Sequence, residues 1–174
     1  DPGFGFEYLQ DEWWVWYSNI KSKSVDNLLI PSYFVNKDNT SINKVSVVTS
    51  CANYHAVSVK MGNAITAISS DAFKRNSSDQ RLKTIVFSQN LTSIGSNAFY
   101  NQAGIISLSF PASLKNIDAS AFYNAINLES VTFNKNLKTI GNLAFAINSY
   151  DTTTKLKTLK FGKNLTTIGE SAFQ

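Results

Sequence analysis

The sequence writes one phrase several times. "LTSIGSNAFYN" (91–101) returns as "LKNIDASAFYN", "LKTIGNLAFAIN" and "LTTIGESAFQ". The Ala-Phe pair near the end of each copy places Phe73, Phe99, Phe122, Phe145 and Phe173 at intervals of 26, 23, 23 and 28 residues, a base period of 23 with additions of three and five. A fixed period in the twenties marks a solenoid, in which each copy is one coil and successive coils stack. Both additions fall between an Ala-Phe and the next aliphatic run, in "KRNSSDQR" and "AINSYDTTTK". These stretches are polar and turn-rich, so extra residues loop out without disturbing the stack.

Aligned on the phenylalanines, a second block appears: "LKTIVFSQNL", "IISLSFPASL", "LESVTFNKNL" and "LKTLKFGKNL". Its first, fourth, sixth and tenth places are apolar, as in Leu82, Ile85, Phe87 and Leu91, or Leu128, Val131, Phe133 and Leu137. The fourth and sixth alternate with polar places, which predicts a short strand with one face inward. A polar turn and a second short extended piece follow. Gly95, Gly141 and Gly169 then mark a tight bend, with Asp118 in that place in one coil. "SNAFYN" reads as a single helical turn with Ala and Phe inward. One coil alone buries too few side chains to offset the entropy of ordering its backbone; stacking, which covers each apolar edge with the next coil, reverses the balance. The phrase repeats because each copy is the lid of its neighbour.

A weaker copy, "AVSVKMGNAITAISSDAF", brings the expectation to about five units, organised as an N-terminal capping segment at 1–44 and a repeat array at 45–174. The last unit stops directly after the inward Phe173, with no capping segment, so the native protein is expected to run on.

The unit L-x-x-[IV]-x-F-x-x-x-L-x-x-I-G-x-x-A-F resembles the leucine-rich repeat of the BspA-like family, the Treponema type, over residues 56 to 174 or so. Two departures stand out: Gln102, Ala125 and Asn148 take the place where the family commonly has Cys, and the Pro after the strand occurs once, as Pro111. The resemblance implies a right-handed solenoid with a parallel sheet on one face; with the residue pattern this makes the expected fold an α/β leucine-rich-repeat solenoid, mostly of short parallel strands with single helical turns, closed by an N-terminal aromatic cap. It also implies an extracellular or cell-surface protein that binds host or neighbouring-cell proteins, an expectation by family analogy.

Composition narrows the field further. No apolar run approaches the ~20 residues that cross a bilayer, and the chain shows no signal-peptide pattern at its start. A formal charge of +4 is too mild to call for nucleic acid. One cysteine, Cys51, rules out an internal disulfide. Cys51 and His55 lie four apart, a nucleophile-base pairing in outline, but no third residue orients the imidazole and two ordinary structural residues are the better account. A lone His and Cys fall short of the three or four ligands zinc takes. No phosphate loop, serine elbow or paired-carboxylate motif occurs, so neither enzyme activity nor a cofactor or metal is expected.

Two candidate surfaces remain. The outward strand positions Lys60, Thr84, Val86, Ser107, Ser109, Ser130, Thr132, Thr158 and Lys160 form a ladder of mostly small hydroxyl residues, suited to a flat protein-binding face. The lysines Lys155, Lys157, Lys160 and Lys163 cluster near it and suit an anionic glycan or acidic protein. The N-terminal "FGFEYLQDEWWVWYSNI" is read first as the cover of the end coil. Its Trp13, Trp14 and Trp16 are also a candidate aromatic platform for carbohydrate or a protein hot spot. The leading expectation is a non-enzymatic surface scaffold for protein binding or adhesion; the alternatives are a carbohydrate-binding module or a spacer array of a larger enzyme.

Overall fold

The computed structural model describes residues 7–9, 12–14, 23–30, 32–35, 42–49, 51, 54–148 and 155–174. Two antiparallel pairs precede the regular stack: β1 (Glu7–Leu9) with β2 (Glu12–Trp14), and β4 (Tyr33–Val35) with β5 (Ile42–Lys44). Between them runs β3 (Lys23–Ile30), which pairs in parallel with the later β7 (Tyr54–Met61). From β6 (Val47–Val48) on, the chain alternates between two strand series. The first continues from β7 through β9 (Thr84–Val86), β11 (Ser107–Ser109), β13 (Ser130–Thr132) and β15 (Thr158–Lys160). The second runs from β6 through β8 (Ala67–Ile68), β10 (Ser93–Ile94), β12 (Asn116–Ile117), β14 (Thr139–Ile140) and β16 (Thr167–Ile168).

The second series forms one unbroken parallel sheet of six strands, in register coil on coil. The first series is split into two three-stranded parallel sheets, β3-β7-β9 and β11-β13-β15. The interruption falls where the coil carrying the longer 74–81 connection meets the next one.

The rings stand in two columns inside. Phe73, Phe99, Phe122, Phe145 and Phe173 stack face to face at 4.8, 5.1, 5.2 and 5.3 Å between centroids, with planes within 6° of parallel. Phe87, Phe110, Phe133 and Phe161 form a second column at 5.3 to 5.7 Å, meeting the first edge-on, for example Phe110 on Phe122 at 61°. Offset-parallel and edge-to-face are the arrangements the ring quadrupole favours. Leu91, Ile94, Leu114, Ile117, Leu137 and Ile140 fill the rest of the interior with no exposed surface.

The Ala-Phe segments bring Ala and Phe inward, but they are turns. Among the described residues there is no helix. The expected helical turn fails for a physical reason. Its N–H groups bond to the next coil: Phe99 N donates to Ala121 O at 2.7 Å, and Phe122 N to Ala144 O at 2.8 Å. Each segment also carries a left-handed residue (Asp71, Asn97, Ser120, Leu143, Ser171; φ between 50° and 60°), and Asn101 and Asn124 at φ 62° add a second one in two coils. A left-handed residue ends helical winding.

Of these, Leu143 is the misfit. Asp, Asn and Ser tolerate the left-handed region through local hydrogen bonding, whereas a leucine Cβ crowds the following carbonyl there, at roughly 1–2 kcal/mol. Its side chain is exposed, so burial does not compensate. Leu143→Asn should therefore stabilise the fold by about 1 kcal/mol, read as a rise of about 2–4 °C in Tm; an unchanged or lower Tm would show that Leu143 makes a contact worth more than its strain.

Candidate functional site

The sheet built by the first series presents its outward residues in two straight rows. Parallel pairing sets Asn27, Ser58 and Thr84 abreast on β3, β7 and β9, and Leu29, Lys60 and Val86 abreast in the neighbouring row. On the other half-sheet, Ser107, Ser130 and Thr158 stand abreast, as do Ser109, Thr132 and Lys160. The two-residue strand period turns these side chains away from Val59, Leu108 and Val131, which are buried between them. All nine sequence-selected positions are thus brought onto one surface, with Ser130 half-buried and the other eight exposed.

Three residues of that surface escaped the sequence reading: Asn27, Leu29 and Ser58. Ser58 Oγ donates to Asn27 Oδ1 at 2.6 Å, and Leu29 is 54% exposed. The signal was present. Leu28-x-Ile30 repeats the inward pair Val59-x-Met61, without the Ala-Phe that would have flagged it. With Val86 at 46% exposure, the N-terminal half-sheet offers two apolar side chains flanking a lysine, whereas the C-terminal half offers hydroxyls and Lys160. Ile106, 49% exposed, stands just ahead of β11 beside the interruption.

Cys51 and His55 are separated by their surroundings. Cys51 N donates to Ala72 O just as Phe73 N donates to Ala98 O, so Cys51 holds the phenylalanine place in its own coil. It is buried, and burial pushes its thiol up to about 12, with the Arg75 charge pulling the other way. A thiol held neutral is a poor nucleophile. His55 instead faces Asp79, Nδ1 lying 2.9 Å from Oδ2. The same Asp79 carboxylate takes Arg75 Nε at 3.3 Å and accepts from Arg81 N at 2.9 Å. The cluster therefore ties the 74–81 connection to β7. Among the described residues no group of three His, Cys, Asp or Glu side chains could hold a metal.

The lysine cluster is also divided. Lys155 Nζ donates to Asn127 Oδ1 at 2.6 Å, and Lys157 lies 3.4 Å from Glu129, both at the start of their coil. Lys160 ends β15 on the sheet face, and Lys163 lies beyond it in the turn. The backbones of Trp13 and Trp14 lie in β2; their side chains, and Trp16 altogether, fall outside the described residues. Among the described residues no helix is long and apolar enough to cross a membrane.

The model of the BspA type leucine rich repeat region matches residues 40–174, with six copies. No curated protein matches the sequence. Among solved structures, the pneumococcal vaccine antigen PcpA is similar with a TM-score of 0.69 at 23% identity, over 92% of this chain and 40% of that one. A leucine rich cell surface protein of Faecalibacterium prausnitzii A2-165 gives 0.62 at 21% identity, over 87% of this chain and 45% of that one. The leucine rich repeat protein of T. pallidum gives 0.57 at 19% identity, over 79% and 82%. At these identities the likeness is one of fold. The chain spans less than half the length of the first two.

Proposed function

The chain belongs to the BspA-type leucine-rich repeat family, and from that membership we propose that it is a non-enzymatic scaffold at a cell surface, binding protein partners through the face of its first strand series. The observation behind this reading is the pair of straight rows. Short parallel strands hold Thr84 on one half-sheet and Ser107, Ser109 and Thr132 on the other, with all four side chains exposed to solvent. Leu29 and Val86, on either side of Lys60, supply the apolar contact that a ladder of hydroxyls lacks. The whole protein's adhesion partners and its place outside the cell belong to the same proposal. Support for the location comes from relatives described as a cell surface protein and a vaccine antigen.

The test alters the face without altering charge. Thr84→Tyr, Ser109→Tyr and Thr132→Tyr together put three bulky side chains across both half-sheets. Retention of surface proteins by the immobilised chain, measured by crosslinking and mass spectrometry, should fall at least about tenfold in the triple variant, as expected when a packed interface centre is blocked. Equal retention by both chains, with circular dichroism unchanged, would remove the sheet face from consideration.

A further inference from the structure

Stacking organises a second surface, at the bend that joins the two strand series on the later coils. Lys135 and Lys163 occupy the same place in successive turns: Gly162 is packed on Asn134 and Lys135 so closely that a Cβ there would come within 2.7 Å of the Lys135 Cα. Lys115 and Lys138 stand one residue ahead of β12 and β14, and Lys138 N donates to Lys115 O at 2.8 Å. All four side chains are exposed. They form two columns of two, each stepping along the solenoid by the coil repeat that the ring stacks set at 5.1 to 5.3 Å.

Among the described residues no carboxylate forms an ion pair with any of the four. Among the described residues, Glu129 is paired with Lys157, and Asp118 and Glu170 come after the second strands, beyond Ile117 and Ile168. Like charges this close raise the local potential and favour an anion lying across them. The neighbouring hydroxyls are already engaged, Ser113 Oγ donating to Leu91 O at 2.6 Å and Thr166 Oγ1 to Lys138 O at 3.0 Å, so the four ammonium groups carry the contact with an anion. One exposed ring, Phe161 at 47%, stands two residues ahead of Lys163, whereas the equivalent rings of the two preceding coils, Phe110 and Phe133, are buried, so the bend has no row of rings on which successive nucleotide bases could stack.

We infer that this bend binds a linear anionic polysaccharide, sulfated or carboxylated, laid along the solenoid axis across Lys115, Lys138, Lys135 and Lys163. The site is separate from the sheet face and does not rest on the function proposed above.

Anisotropy titrations of the whole chain with fluorescein-labelled heparin and hyaluronate oligosaccharides test it, at salt of about 50 and about 200 mM. Binding of heparin alone, or of both, supports the assignment and distinguishes a sulfate site from a general carboxylate one. Lys115→Ser with Lys138→Ser should weaken binding about tenfold at the lower salt, and adding Lys135→Ser and Lys163→Ser should abolish it. Lys155→Ser with Lys157→Ser removes the same charge away from the bend and should change affinity less than about twofold. The triple tyrosine variant of the sheet face should bind as the wild type does. An unchanged Tm in each variant checks folding. Three outcomes overturn the inference: neither oligosaccharide binds, the Lys155/Lys157 control loses as much as the bend variant, or single-stranded DNA of matched charge binds as tightly.

Discussion

Phe122→Ala should lower the free energy of unfolding by about 3–5 kcal/mol, the range for truncating a fully buried phenylalanine. Phe122 has no exposed surface and lies between Phe99 at 5.1 Å and Phe145 at 5.2 Å, with Phe110 against its edge at 5.7 Å. The residual cavity cannot collapse easily, because each neighbouring ring is fixed by the next one in its column. Backbone bonds resist closure too, since Phe122 N is held by Ala144 O in the coil beyond. In a stack whose stability is the sum of coils and their interfaces, a central ring counts in two interfaces and a terminal ring in one. Phe173 meets Phe145 on one side and is only partly buried. Phe173→Ala should accordingly cost less than half as much. Urea titrations of the two variants check this, and equal losses would contradict a continuous interior.

The second large effect is a pH dependence that belongs to Cys51. Burial raises the thiol from its ordinary 9.0 to about 12, so the folded chain keeps its proton where the unfolded chain has lost it. A group whose folded value is raised contributes its full stability below the unfolded value and loses it as pH rises toward the folded one. Stability should therefore fall as pH rises from about 9 toward about 12, by an amount on the order of a few kcal/mol from this residue alone. Lysines and tyrosines titrate in the same range, so the measurement is a difference. Cys51→Ala is less stable than wild type at pH 8 because it empties part of the phenylalanine place, and the gap should close by about 1 kcal/mol one unit above pH 9. A gap that stays constant from pH 8 to 11 would mean that the thiol is hydrated. The same burial predicts that thiol reagents label Cys51 in the native chain about a thousandfold more slowly than in urea, through the small unfolded fraction.

Much of this protein is written in its sequence. The 23-residue period fixed the solenoid, because a coil that cannot cover its own apolar edge has to stack, and a stack forces equivalent residues into columns. The inward Phe99, Phe122 and Phe145, the outward Thr84, Ser109 and Thr132, and the placement of added residues in connections all follow from that constraint. They recur at fixed offsets, so one sequence contains several votes on each.

Tertiary structure decided what occurs only once or crosses between coils. Cys51 replaces a phenylalanine where the repeat is too degenerate to read, and β3 extends the sheet because its backbone finds an edge to pair with, though it carries no Ala-Phe. The segments read as helical turns became plain turns because their N–H groups bond across coils, a competition invisible within one copy. His55 is claimed by Asp79, 24 residues away, instead of by Cys51. Lysines close in sequence part company, Lys155 and Lys157 to one end of the coil and Lys163 to the bend, next to the turn that carries Lys135. The physical reason is common to all of these. Periodic pattern reports which side of a coil a residue faces, and only the stacking of particular coils determines which residue it faces there.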